Sequence, residues 1–334
     1  MLSISARSAD RRQAEALANV TAEELIIELG GKNSPFQTLE RAAASPVDDD
    51  DIKGPTSRPG RAAMLGGVGL LLGAGAAILV DGFDNRIRSK QAAEAALGVP
   101  VLTEVPSLPP ADRGSLVTGD QPTVFIEAYR RLRTNVDRTM RRTAAGEGGA
   151  VIVVTSPTGA EGTTTTVAQL AAALAEIGQS VLAVSADLRG ASLHHFFDRP
   201  IEPGLVDILQ GRVALEDLQL GTPVNGVDLL SSGTPVENPA PLLDRVGEVL
   251  RAARTLADVV LVDAPPLLTF SDAAEFARHA DAVLLIVRTG HTTTGAATRG
   301  VELLQRLNIP VLGAVLLGRG PSVFGRRAAK TQLL

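Results

Sequence analysis

Residues 151–166 read Val151-Ile-Val-Val-Thr-Ser-Pro-Thr-Gly-Ala-Glu-Gly-Thr-Thr-Thr-Thr166. An apolar, β-branched run is followed by a glycine-bearing loop and then by threonines that open a helical pattern. Strand, loop and helix in that order place backbone N–H groups at a helix N-terminus, where they can cradle a phosphate. Gly159, Glu161 and Gly162 lie in the loop; Thr163, Thr164 and Thr165 begin the helix. A phosphate loop normally carries a lysine after its last glycine and a hydroxyl after that. Here Thr163 stands at the lysine position and Thr164 supplies the hydroxyl. Taken alone, the stretch also reads as an ordinary glycine-rich turn.

The pattern continues on both sides. The sequence predicts strands at 150–155, 180–184, 227–231, 258–263, 282–287 and 311–316, and helices at 164–177, 238–254, 272–278 and 294–307. A short helix (91–97), a strand (101–105), a proline-rich connection (106–122) and a charged helix (124–142) precede them. Strand–helix alternation with short loops implies an α/β fold: a P-loop NTPase-like parallel sheet flanked by helices. Two predicted strands end on or near aspartate: Val181-Leu-Ala-Val-Ser-Ala-Asp187 and Val259-Val-Leu-Val-Asp263. Acidic residues at strand tips in such a sheet sit beside the phosphate loop, where Thr164, Asp187 and Asp263 would hold magnesium. Either aspartate alone reads equally as a helix cap or turn residue.

Toward the N-terminus, residues 8–29 have helical spacing and end at Gly30-Gly31. Residues 43–61 are rich in Pro, Gly, Asp and Ser and read as a linker. Residues 62–80 (Ala62 to Val80) carry no charged side chain and at ~1.5 Å per residue span about 28 Å, close to a bilayer core; one transmembrane helix is expected there. Lys53, Arg58 and Arg61 precede it and Arg86, Arg88 and Lys90 follow, so flanking charge does not orient it. Net charge is −5, which gives no hint of nucleic-acid binding, and the absence of cysteine excludes disulfides, thiolate metal sites and cysteine nucleophiles. His194 and His195 have no third ligand at metal-site spacing and read as structural.

Glu127, Arg130 and Arg133 are three apart and share one helix face; alone they describe a solvated face with local ion pairs. With the other segments they carry a resemblance. The chain resembles the bacterial polysaccharide co-polymerases fused to BY-type tyrosine kinases, from about residue 62 to 318 and more weakly over 4–60. Asp84-Asn-Arg-Ile-Arg-Ser89 with Leu97-Gly-Val-Pro-Val-Leu102 is similar to that family's membrane-proximal connector. Glu127, Arg130 and Arg133 match its ExxRxxR oligomerisation motif, Ser185 to His194 its Walker A′ segment, Val262-Asp-Ala-Pro-Pro266 its Walker B segment, and Gly233 to Pro239 a further family loop. The resemblance divides the chain into a remnant of the extracytoplasmic chain-length domain (1–42), linker (43–61), membrane helix (62–80), connector (81–122), P-loop domain (123–318) and tail (319–334).

The departures carry as much weight. The family's phosphate-loop lysine is Thr163, its first Walker A′ aspartate is Ser185, and the Asn it places beside the nucleotide base is Leu317. Its C-terminal tyrosine cluster is absent, and Tyr129 is the only tyrosine in the chain. The first membrane helix and most of the extracytoplasmic domain are missing too, as in a truncated product, a misplaced start or a split partner. Asp187 is left as the candidate catalytic residue, and ATP or ADP with magnesium is expected to bind weakly. The resemblance thus implies a pseudokinase regulator of exopolysaccharide or capsule assembly. It would sit in the bacterial plasma membrane with its C-terminal domain cytoplasmic. It would self-associate and meet polymerase or export proteins, or a separate chain-length subunit. An active tyrosine kinase of the same pathway and a membrane-bound ATPase switch akin to the septum-site and partition ATPases are the alternatives.

Overall fold

Valine, leucine, isoleucine and alanine fill the strands almost without alternation, as expected where both faces of a sheet are covered. In the computed structural model β1 (Val101–Val105), β2 (Ala150–Thr155), β3 (Val181–Ser185), β4 (Val227–Leu230), β5 (Val259–Asp263), β6 (Ala282–Arg288) and β7 (Val311–Leu317) form one seven-stranded sheet. The strand order is β1-β7-β6-β2-β5-β3-β4, and every pairing is parallel. The structure describes residues 84–108, 123–143 and 148–318, together with the N-terminal helix 11–30 and residues 4–6, 8, 10, 41–43, 66, 69, 114 and 116.

Alternate side chains of the central strands enter two separate cores. Val151, Val153, Leu182, Val184, Val260 and Val262 pack on one face, with α2 (Lys90–Leu97), α7 (Val246–Ala253), α8 (Asp272–Arg278) and α9 (Thr294–Arg306). Ile152, Val154, Val181, Ala183 and Leu261 pack on the other, with α3 (Thr123–Thr143) and α4 (Thr163–Ala175). The result is a three-layer α/β/α domain. From central β2 the chain moves toward β3 on one side, then crosses from β5 over β2 to β6 on the other. That reversal opens a crevice at the carboxyl ends of the strands, the usual ligand position in open α/β sheets.

The predicted strands differ from the observed ones by a residue or so at their ends. The helix expected over 238–254 is instead a 3-10 turn, Ala240–Arg245, running into α7. Pro239 and Pro241 each disfavour the α conformation of the residue before them, Asn238 and Ala240, so a regular α-helix does not begin there. Two short helices, α5 (Leu193–Phe196) and α6 (Leu205–Leu209), were not expected; each is too short to display a helical period.

The chain divides into two compact units, Met1–Asp81 and Gly82–Leu334. In the first, α1 (Arg11–Gly30) starts where the Asp10 carboxylate accepts the Arg12 N–H at 2.9 Å, slightly later than expected from the sequence. Apart from Ala43, Gly66 and Gly69, the expected linker and membrane span lie outside the described residues, as does the tail 319–334. Among the described residues, no helix is long and apolar enough to cross a membrane.

Candidate functional site

β2 is fully buried and ends at Thr155, whose hydroxyl donates to the Pro265 carbonyl at 2.7 Å. The loop that follows turns into α4 at Gly162, which adopts φ 97°; a side chain there would also stand 2.6 Å from Leu317 Cδ1. Backbone conformation and lack of space therefore both require glycine. No side chain caps the N-terminus of α4. The N–H groups of a first helical turn have no partner within their own helix, so Thr163–Thr165 present donors and a positive dipole end to the crevice.

Two elements brace the loop. Glu161 is buried, and its carboxylate accepts the backbone N–H and the hydroxyl of Thr158. Burial pushes its carboxyl up to about 7, against the pull of Thr158, Thr292 and the Arg288 charge. From the end of β6, Arg288 Nη1 donates to the Ala160 carbonyl at 3.0 Å, and His291 Nε2 lies 3.1 Å from the Gly159 carbonyl. The connector segment packs on the same β6–α9 turn: Ile87 N donates to Thr292 O at 2.8 Å and Gly290 N to Ile87 O at 2.8 Å.

The acidic tips converge opposite. Parallel register sets Asp263 beside Val154 on one side and Ser185 on the other. Asp263 is 3% exposed. Its carboxyl is pushed up to about 7 by burial, and further by the charge of Asp187, while the Thr164 hydroxyl bonds to it and pulls the other way. The Ser185 hydroxyl is buried with no hydrogen-bond partner. Asp187 accepts the N–H groups of Arg189 and Gly190, both at 3.2 Å. These groups line a cavity of about 810 Å³, which also includes Ser192, His195, Phe270, Arg288 and Leu317. That volume falls within the range of small-molecule sites. Gly159, Glu161, Gly162, Thr163, Thr164, Thr165, Asp187 and Asp263 all line it; Ser185 does not, but pairs in register with Asp263, which does. Arg288 escaped the sequence reading; a single arginine closing an apolar strand was its only trace. His194 beside His195 is buried, with its pKa held down by burial; among the described residues no group of three or more His, Cys, Asp or Glu could hold a metal.

Glu127, Arg130 and Arg133 lie apart from the cavity. Arg130 bonds Glu127 at 2.8 Å and reaches Glu176 beyond the end of α4 at 3.0 Å. Arg133 donates to Glu176 at 2.9 Å and to the Ala173 carbonyl at 2.9 Å. The two arginines hold the Glu176 carboxyl below its ordinary range, with Arg130 contributing most. Within one chain the motif therefore joins α3 to the helix that begins at the phosphate loop. Tyr129, on the same helix, is buried at 2% exposure, stacked edge-on against Phe125 at 5.0 Å, with its hydroxyl on Thr166.

Comparison with known proteins bears on the family and the fold. The family model described as ATPase MipZ matches residues 150–285. The chain is 32% identical over 277 residues to the putative tyrosine-protein kinase EpsB of Ralstonia solanacearum, covering 78% of this chain and 36% of that protein. It is 32% identical over 200 residues to the tyrosine-protein kinase YwqD of Bacillus subtilis, covering 58% of this chain and 81% of that one. The kinase domain of the Escherichia coli tyrosine kinase ETK superposes with a TM-score of 0.63 at 27% identity, covering 71% of this chain and 96% of that domain. The chain thus spans about a third of the length of its Ralstonia relative (36%) but most of its Bacillus one (81%).

Proposed function

This chain belongs to the BY-type bacterial tyrosine-kinase family, and from that premise we propose that it is a pseudokinase subunit regulating exopolysaccharide or capsule assembly. The observation that carries the reading is the pairing of an intact phosphate cradle with a stripped catalytic set. The cradle keeps Gly162 and the Thr164–Asp263 contact. The position of the family's loop lysine is Thr163, and that of its first Walker A′ acid is the unpartnered Ser185. The only tyrosine, Tyr129, is buried.

The oxygen donors fit a hard divalent cation. Thr164, Asp187 and Asp263 would hold magnesium, which when bound neutralises phosphate charge. Around it, the α4 N–H groups would receive phosphate oxygens, and Glu161 would keep the loop in shape. Without the lysine, ground-state binding loses a charge-assisted hydrogen bond of about 1.5–3 kcal/mol, or roughly ten- to a hundredfold in affinity. Phosphoryl transfer loses more, about 100- to 1000-fold, because that charge faces the transition state. Nucleotide is therefore held weakly and transferred poorly, and assembly carries the function. Residues 62–80 anchor the chain in the plasma membrane with the P-loop domain in the cytoplasm, and Arg130, still partly exposed, contributes to self-association with Glu127 and Arg133. Its partners are polymerase or export membrane proteins.

The test pairs two readouts on the full chain. Labelled ATP should yield no detectable phosphotyrosine on added tyrosine substrates, and Arg130→Ala with Arg133→Ala should reduce oligomer size in light scattering. Transfer that disappears in Asp187→Asn would show an active kinase instead. An oligomer unchanged by the arginine variants would remove the assembly role.

A further inference from the structure

The cavity that should receive a polyanion is lined by carboxyl groups: Glu161, Asp187 and Asp263. Among its described lining residues, Arg288 is the one arginine or lysine. Arg189, Arg130 and Arg133 are engaged elsewhere. Arg189 pairs with the buried Asp272 and lies over the Phe270 ring at 4.5 Å; Arg130 and Arg133 are bound to Glu176.

Arg288 is the last residue of β6, in register with Leu317 of β7, whose side chain lies against Gly162. Its backbone N–H is fixed by the Thr292 hydroxyl at 2.9 Å. Its guanidinium rests on the Ala160 carbonyl, three residues before the position where the lysine is missing. A guanidinium carries five N–H donors in a planar fork suited to phosphate oxygens, so one bond to a carbonyl leaves donors to spare.

We propose that Arg288 supplies, from the tip of β6, the positive charge that the phosphate loop lacks, and contacts the phosphates of a bound nucleoside diphosphate directly. The proposal rests on the phosphate-site reading above and names the residue that makes it workable. The charge enters from the β6 edge of the cavity and not from the first turn of α4. It offsets phosphate charge in the bound state without occupying the lysine's place during transfer. Weak binding and poor chemistry then follow from the same substitution of one cation for another. With three carboxyl groups around a single guanidinium, binding also requires magnesium.

A double-mutant cycle separates this role from simple bracing of the loop. Affinity of the full chain for MgADP, at up to about 10 mM, is read from the ligand-induced rise in melting temperature. It is measured for wild type, Arg288→Gln, Thr163→Lys and the double variant, with Arg288→Lys as the charge-conserving control. Gln removes the charge, and because its amide nitrogen ends two bonds short of Nη1, the Arg288→Lys control and the Thr163→Lys background are what separate lost charge from lost bracing.

Arg288→Gln should weaken binding by about tenfold or more in wild type. The loss should be much smaller when Thr163→Lys supplies its own cation, and Arg288→Lys should recover part of it. Equal losses in both backgrounds, or no loss at all, would overturn the role of Arg288 while leaving the phosphate site standing. Binding by Thr163→Lys with none by wild type would do the same. If neither wild type nor Thr163→Lys binds MgADP, the phosphate-site reading falls and takes this proposal with it.

Discussion

Replacing Asp263 by asparagine should stabilise the ligand-free protein, and by an amount that grows with pH. Asp263 is 3% exposed, and burial, with Asp187 adding to it, pushes its carboxyl from 3.8 up to about 7. The folded chain therefore keeps a proton that the unfolded chain has already released. Stability from this group is complete below about pH 3.8 and is lost as pH rises through about 7. Above that point the folded state carries a buried charge whose cost is at most roughly 4 kcal/mol. Asparagine has nearly the same shape, keeps an oxygen for the Thr164 hydroxyl, and cannot ionise. In a domain of this size about 1 kcal/mol corresponds to roughly 2–4 °C. Asp263→Asn should therefore melt several degrees above wild type at about pH 8, and the gap should shrink by more than half near pH 5. Glu161, also pushed up to about 7, titrates in both proteins and cancels. Thermal melts followed by circular dichroism, in chelator and without nucleotide, read the gap directly. A gap that ignores pH, or widens on acidification, would refute the buried-carboxyl reasoning.

Other expectations concern the α3–α4 contact. Arg133 is the less exposed arginine, 17% against 41% for Arg130, and it bonds both Glu176 and the Ala173 carbonyl. Arg133→Ala should cost about 1–2 kcal/mol, and Arg130→Ala, on the more exposed side chain, should cost less; urea melts should also show Arg133→Ala and Glu176→Gln to be non-additive. Tyr129→Phe removes a buried hydroxyl from Thr166, whose own hydroxyl still donates to the Gly162 carbonyl. The loss should be about 1 kcal/mol, and mass spectrometry of the folded protein incubated with MgATP and an active tyrosine kinase should find Tyr129 unmodified.

Much of the fold was legible because parallel strands buried on both faces write themselves as uninterrupted apolar runs. Val151–Val154, Val181–Val184 and Val259–Val262 announce their strands, and Asp263 marks a strand end. What stayed hidden depends on register and on long-range packing. Nothing local to Ser185 says that it pairs with Asp263, or that its hydroxyl is buried without a partner. Arg288 and Ala160 are 128 residues apart and meet only because β6 lies next to β2. The arginine motif was legible as a helix face, but its partner, Glu176, is the C-cap of another helix. Proline at 239 and 241 was visible, yet its effect, a 3-10 entry to α7, was not drawn from the helical period of that stretch.

The account turns on one substitution, threonine for lysine at position 163, and nucleotide titration tests it most directly. MgADP and MgATP would be titrated into the full chain and its Thr163→Lys variant in a calorimeter, with magnesium omitted as a control. Wild type should bind weakly and only with magnesium, and the variant about ten- to a hundredfold more tightly. Micromolar binding by wild type with no gain in Thr163→Lys would contradict the account, because the site would then be fully equipped without the lysine.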